Sequence, residues 1–294
     1  MSQVTSIHML LKCLLLACLL RSAAVAIGVQ LVFQISSDKT EYFEGEPVCI
    51  RKYLKNAADL DMMVAEPDEV FVQFHLESEG ASLEKIPRLC LLRAARPPDY
   101  GVRLGKGMGL VFWFSLNEIY PYGLPPGKYR LRAVYSVDET YHRCWKGVIW
   151  SNPLDFSVVR APRKEEAAYG LYIEARDLIN RGVELSTARA KLDKLLHDYP
   201  NSRYAKLGQF LKGVSFWKDR ANGKQDFDGA IEAFRKFIIV EPNFPYYSTE
   251  ARRLMAVALY NLGRKEEARS EFQKLPESHF KRWHLAKLDQ EAGP

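Results

Sequence analysis

Residues 188–200 read ARAKLDKLLHDYP, residues 230–242 read AIEAFRKFIIVEP and residues 268–275 read ARSEFQKL. In the first two, a small residue (Ala188, Ala230) is followed by bulky apolar ones four and seven positions later (Leu192 and Leu195; Phe234 and Phe237) and closed by a proline at twelve (Pro200, Pro242). Ala268, Phe272 and Leu275 start the series again, so the spacing runs 42 and then 38 residues, from 188 to 230 to 268. Positions i, i+4 and i+7 share one face of a helix, and an alanine on that face lets a neighbouring helix approach closely. The pattern predicts stacked helical hairpins, which offer a groove for another molecule and need no chemistry of their own.

Helical periodicity extends outward from these segments over Glu165–Arg181, Ser186–Tyr199, Arg203–Arg220, Asp226–Val240, Thr249–Leu262, Lys265–Leu275 and Phe280–Gln290. Six of these pair into three hairpins, and the seventh forms a cap. Upstream the period changes. From Val29 to Arg160 short apolar runs alternate with turn residues, giving seven expected strands: Gln30–Ser36, Pro47–Leu54, Val70–Glu77, Leu110–Leu116, Lys128–Val137, Lys146–Trp150 and Leu154–Val159. Val70, Val72, Phe74 and Leu76 alternate along one of them, and Tyr129, Leu131, Ala133 and Tyr135 along another, each with one face turned inward. The fold class expected is therefore a two-domain chain, an all-β Ig-like sandwich (residues 27–160) followed by an all-α helical-repeat superhelix (165–294). Ala161-Pro162-Arg163-Lys164 forms the linker, because proline and two charges end the last strand while Glu165-Glu166 suit a helix N-terminus.

At 294 residues, with 47% hydrophobic and 27% charged side chains, the chain has ordinary globular composition and room for two cores. Residues 1–26 differ: Lys12, the apolar run Cys13 to Leu20, Arg21 and the ending Ala24-Val25-Ala26 have the pattern of a secretory signal peptide, with mature Ile27 expected to follow. Leu15-Leu16-Ala17-Cys18 also resembles a bacterial lipoprotein box, which makes a lipid anchor at Cys18 the minor reading. Export removes Lys12 and Arg21, so the net charge of +6 becomes +4, a value that speaks for solubility and against nucleic acid as a partner. Cys49, Cys90 and Cys144 remain, and an odd count argues against a disulfide-built scaffold.

Three segments of the second half, Tyr199 to Ala205 (YPNSRYA), Ala230 to Phe237 (AIEAFRKF) and Leu262 to Ala268 (LGRKEEA), resemble tetratricopeptide repeats, most closely the subtype of periplasmic outer-membrane-assembly and TolA-binding lipoproteins. The resemblance departs from pattern between Lys218 and Asp226, where a longer linker contains Asn222-Gly223. In the first half, Tyr42 to Val48 (YFEGEPV), Pro126 to Tyr135 (PGKYRLRAVY) and Ser151 to Val158 (SNPLDFSV) resemble the Ig-like modules of exported bacterial proteins, with Tyr129 placed where such a domain ties down a corner through its hydroxyl. Leu131 stands where antibody domains carry their second cysteine, so kinship with those domains is not implied.

The resemblance implies that the first helix of each hairpin lines a concave face. Arg176, Ile179, Asn180, Phe210, Val214, Trp217, Lys218, Arg253, Val257, Tyr260 and Asn261 would then face a bound peptide or protein. Asn180 and Asn261 suit two-point hydrogen bonds to a peptide backbone, and Trp217 and Tyr260 offer flat apolar surface or, alternatively, pack between repeats. Phe112-Trp113-Phe114 puts bulky side chains on both faces of one strand, as expected for burial between the domains rather than for a bare sticky patch.

No catalytic motif, cofactor or metal site is expected. The chain lacks a Gly-x-Ser-x-Gly elbow, a phosphate-binding Gly-x4-Gly-Lys-Ser/Thr and a His-Glu-x-x-His. His142-x-Cys144 has no companion pair, and His279 and His284 miss the i, i+4 spacing. The function expected is that of an exported, non-enzymatic interaction or scaffold protein of the bacterial cell envelope, periplasmic or extracellular. The alternative is an envelope enzyme subunit or carbohydrate-binding protein acting through the sandwich.

Overall fold

The computed structural model describes residues 31–68, 70–79, 101–219, 225–244 and 246–292. The signal peptide, Cys18, Cys90 and Asn222-Gly223 lie outside the described residues. The first half is built from β1 (Leu31–Ser37), β2 (Glu41–Phe43), β3 (Cys49–Asn56), β4 (Met62–Val64), β5 (Val72–Glu79), β6 (Val102–Leu104), β7 (Gly109–Ser115), β8 (Gly127–Val137), β9 (Gly147–Trp150) and β10 (Leu154–Val159). One sheet runs β1-β3-β7; the second runs β2-β10-β8-β5, with β9 also paired to β8; β4 and β6 make a separate ribbon. All pairings are antiparallel except β10 with β2.

The alternation expected from sequence sets the core. Tyr129, Leu131, Ala133, Tyr135 and Val137 of β8 are buried, facing Leu31, Phe33 and Ile35 of β1 and Ile50 and Leu54 of β3 in one cluster. Tyr129 donates its hydroxyl to the Pro125 carbonyl at 2.5 Å, and its ring stacks on Phe156 with centroids 5.3 Å apart. Desolvation pushes the Tyr129 phenol up to about 12. This bond pins the corner where the chain enters β8. Phe114 was expected between the domains. It stacks instead on Phe74 inside the sandwich at 4.8 Å, because β7 is a member of the first sheet and its alternate residues face the second.

Helices follow in the expected order: α1 (Glu166–Arg181), α2 (Leu185–Asp198), α3 (Arg203–Lys218), α4 (Phe227–Val240), α5 (Tyr247–Asn261), α6 (Lys265–Gln273) and α7 (His279–Ala292). Their ends have chemical causes. Gly182, at φ 68°, closes α1 by donating to Ile179 O while Val183 donates to Leu178 O. The Ser202 hydroxyl accepts the Tyr204 amide at the start of α3, and Asp226 accepts the Gly229 amide at the start of α4. Each helix packs on the next, α1 also on α3, and α3 also on α5. The alanines of the repeat, Ala188, Ala230 and Ala268, are fully buried beside Leu192, Phe234 and Phe272. A Cβ on Gly213 of α3 would come within 2.4 Å of the Phe234 ring, so glycine is what brings α3 and α4 together. No helix among the described residues is long and apolar enough to cross a membrane.

Candidate functional site

Among the described residues, seven hydrogen bonds that cross between the halves end on α1, α3, α5 or α7. The sandwich therefore lies along the face formed by the first helices of the hairpins, the face on which a partner was expected. Two sandwich loops and one turn make the seam.

The YFEGEPV segment supplies the first loop. Glu44 O accepts the Tyr204 hydroxyl at 2.8 Å, and the Glu46 carboxylate receives Arg203 at 2.9 Å, Lys39 at 3.0 Å and the Phe43 amide at 2.7 Å. The Arg203 guanidinium also lies 3.7 Å over the Phe43 ring. Between the two glutamates, Gly45 has φ 84° and rests against α1, where an added Cβ would meet the Tyr169 ring at 2.7 Å. Both the backbone and the close approach demand glycine.

The turn after β7 enters the groove itself. Asn180 donates its amide to Pro121 O at 3.0 Å, and Arg176 donates Nη2 to Tyr122 O at 2.6 Å. Ser115 at the end of β7 meets the Tyr247 hydroxyl of α5 at 3.4 Å. At the far end, Glu66 accepts the His279 amide at the start of α7 at 2.7 Å and Arg282 at 3.1 Å. Glu66 is only 4% exposed and Glu46 7%, so these are buried charges with partners from the other half of the molecule.

A cavity of about 300 Å³ remains between the turn and the helices. Asn117, Glu118 and Pro121 form its sandwich wall; Tyr172, Leu207, Phe210, Val214 and Leu254 its largely apolar floor; Arg176, Asn180, Trp217, Lys218, Tyr246, Tyr247 and Glu250 stand around it. Burial raises the pKa of Tyr246 and Tyr247, with the charges of Glu250 and Glu118 adding to it at Tyr246. Lys218 turns its ammonium back onto Ile179 O at 3.1 Å, at the carbonyl end of α1, and partial desolvation lowers its pKa.

Six of the eleven residues expected on the groove thus border one cavity: Arg176, Asn180, Phe210, Val214, Trp217 and Lys218. The other five are distributed differently. Ile179 has no exposed surface and belongs to the core under α1 and α3, because α1 packs on both α2 and α3 there. Arg253 makes a two-point contact with Glu250 at 2.7 and 2.5 Å. Val257 packs against the core of the last hairpins. Tyr260 is covered by α7, whose Glu291 accepts its hydroxyl and whose Lys287 sits 4.8 Å over its ring. Asn261 is exposed. Trp217 is half-buried with Phe227 edge-on at 5.5 Å, so it both packs and lines the cavity.

Asn117, Glu118, Pro121, Tyr246 and Tyr247 are site residues the helical periodicity could not supply, since none lies on the expected inner stripe of a helix. The signal available for the turn was an irregular stretch rich in apolar side chains, Leu116, Ile119, Tyr120 and Leu124, too hydrophobic for a plain surface loop. Among the described residues no group of three or more His, Cys, Asp or Glu could hold a metal ion.

A family model described as tetratricopeptide repeat matches residues 221–288. That stretch spans α4, α5, α6 and most of α7, and tetratricopeptide repeats are generally protein–protein interaction modules. Among solved structures, the chain is similar to the CARDB domain of a Pyrococcus furiosus protein in complex with di-metal ions, at 16% identity and a TM-score of 0.26, covering 44% of this chain and 87% of that one. Comparison with curated proteins found no match. The sandwich assignment stands on the strand pairing and the shared core described above.

Proposed function

We propose that the protein is an exported, non-enzymatic interaction or scaffold protein of the bacterial cell envelope, and that the first-helix face of its repeats takes a peptide or protein partner. One observation carries this reading. The face already binds polypeptide in the required manner, with Asn180 and Arg176 holding the successive carbonyls of Pro121 and Tyr122 while an apolar floor lies open beside them. Export is supported by the Ala24-Val25-Ala26 ending of the leader pattern, and an envelope setting by the resemblance to periplasmic lipoproteins of the repeat class. N-terminal sequencing of the mature chain tests export: Ile27 is the expected start, and a lipid-modified Cys18 would replace the soluble form with an anchored one.

Affinity capture from the envelope of the source organism, followed by chemical cross-linking, tests the partner. A stoichiometric protein cross-linked to α1, α3 or α5 supports the proposal. A second reading, carbohydrate binding through the sandwich, is favoured by Trp150. Its side chain is 54% exposed on β9 and its ring lies 5.1 Å from that of His75, across the open face of the sheet. A sugar polymer retained without any protein, and lost in Trp150→Ala, would select that reading.

A further inference from the structure

The seam between the halves is held by polar contacts and not by a common core. Among the described residues, buried apolar side chains of the sandwich form one cluster and those of the helices two others, and Phe43 is the strand residue that packs against a helical cluster. Interfaces of this polar kind resemble transient protein–protein contacts, and motion across them is the expected behaviour. Two local features of the closed state carry a cost. Arg176 is 4% exposed, yet its Nε and Nη1 have no hydrogen-bond partner; Nε lies 3.8 Å from Asp177 Oδ1, beyond hydrogen-bond range, and Asp177 Oδ1 is itself unsatisfied. Tyr246, at the entry to α5 beside the cavity, has φ 62° and ψ −58°, a backbone conformation that a bulky L residue adopts only under constraint. The turn also fills the groove incompletely, leaving the open cavity beside it.

We propose that the sandwich is an intramolecular competitor for the helical groove: its turn Asn117–Gly123 stands where a partner segment would bind, and a partner reaches Arg176 and Asn180 only when the seam opens. This rests on the reading of the first-helix face as the partner site. A protein that is binding-competent in a fraction f of molecules shows an apparent Kd weakened by 1/f, so a seam open in about one molecule in a hundred weakens binding about a hundredfold. The partner class is a protein segment that presents successive backbone carbonyls to Arg176 and Asn180 and an apolar side chain to the floor at Phe210 and Val214.

The test loosens the seam away from the groove. Arg203→Ala combined with Arg282→Ala removes the side chains that pair with Glu46 and Glu66, and neither residue lines the cavity. The probe is a dye-labelled, end-blocked peptide with the sequence of residues 117–123 added to the full chain. The loosened variant should bind it at least tenfold more tightly than the wild type, and adding Asn180→Ala and Arg176→Gln should abolish the gain. The wild-type chain provides an independent readout, since the His279 amide donates across the seam to Glu66 and exchanges its hydrogen only when that contact breaks. Its exchange should precede that of the sandwich strand β8 by at least tenfold. Exchange of this amide only with global unfolding, or equal peptide binding by wild type and loosened variant, overturns the competition. A captured partner that cross-links to α1, α3 or α5 with the same affinity for both forms would overturn it too, while leaving the partner reading intact. A partner that cross-links elsewhere removes the reading beneath it.

Discussion

Asn180 and Asn261 hold the same place in the first and third hairpins, and the structure treats them differently. Asn180 gives its amide to Pro121 of the sandwich, whereas Asn261 stands exposed at the end of α5. The aromatic positions diverge as well: Trp217 borders the open cavity, and Tyr260 is covered by the ring contact and hydroxyl bond from α7. Repeat periodicity sets where a side chain stands on the solenoid. Which neighbour covers it depends on contacts between residues far apart in sequence, so equivalent positions need not be equally available.

On this reading the groove belongs to the helices and is covered from outside. Phe234→Ala puts that assumption under the largest load, because Phe234 is fully buried between α3 and α4 and its loss should cost about 3–5 kcal/mol. Thermal unfolding followed by calorimetry should then show the helical half melting early and the sandwich melting separately. A single transition carrying both halves would mean that the seam acts as a shared core, and the two asparagines would have to be treated as parts of one unit.

Asn180→Ala leaves the Pro121 carbonyl without its donor and should destabilise the closed chain by about 1–3 kcal/mol, while Asn261→Ala should stay within about 0.5 kcal/mol of wild type. Equal shifts in denaturant midpoint would erase the difference on which the comparison rests. Tyr129→Phe sharpens it from the sandwich side, for the Tyr129 hydroxyl holds Pro125, just beyond the turn that enters the groove. Loss of that bond should lower stability by about 0.5–1.5 kcal/mol without altering β8, as denaturant unfolding and far-ultraviolet dichroism would show.

The helices were legible because their apolar stripes run for nine residues or more, long enough for a period of 3.6 to declare itself. The long strands β5 and β8 were legible through alternation, and β1, β3, β7 and β10 as apolar runs between turn residues. The three-residue strands β2, β4 and β6 were not expected, since Glu41–Phe43, Met62–Val64 and Val102–Leu104 are too short to show any period and form by pairing with distant segments. The seam was opaque for a different reason. Arg176 and Asn180 have the same chemistry whether the carbonyl they hold belongs to a partner or to Pro121 and Tyr122 of the same chain, and nothing in their spacing tells the two apart. The single carboxylates Glu46 and Glu66, which fasten the ends of the seam, look like ordinary loop acids until their partners Arg203 and Arg282 arrive from more than 150 residues away.

The smallest expected effect concerns the cover over Tyr260. His284 of α7 stacks on Phe272 at 4.6 Å and meets Phe280 in a tilted contact at 4.1 Å, with its Nδ1 2.9 Å from Phe280 O. Burial lowers its pKa below the ordinary histidine value, opposed by the Phe280 carbonyl and assisted by the positive charges of Lys287 and Arg253. The folded chain therefore takes up this proton less readily than the unfolded one. Above the unfolded pKa of about 6.5 the contribution of the neutral ring is fully present; as the pH falls below that value the unfolded chain binds its proton first, and the contribution is lost until the folded pKa is passed. The docking of α7 should accordingly weaken on acidification from about pH 7.5 to about pH 5.5. In His284→Phe, which keeps a ring at the same place without a titrating group, that part of the change should disappear. Melting curves of wild type and variant at the two pH values measure it, and hydrogen exchange along α7 localises it. Identical pH dependence in both proteins would show that the cover is held by Tyr260, Glu291 and Lys287 alone, leaving the exposed Asn261 beside a lid insensitive to protons at His284.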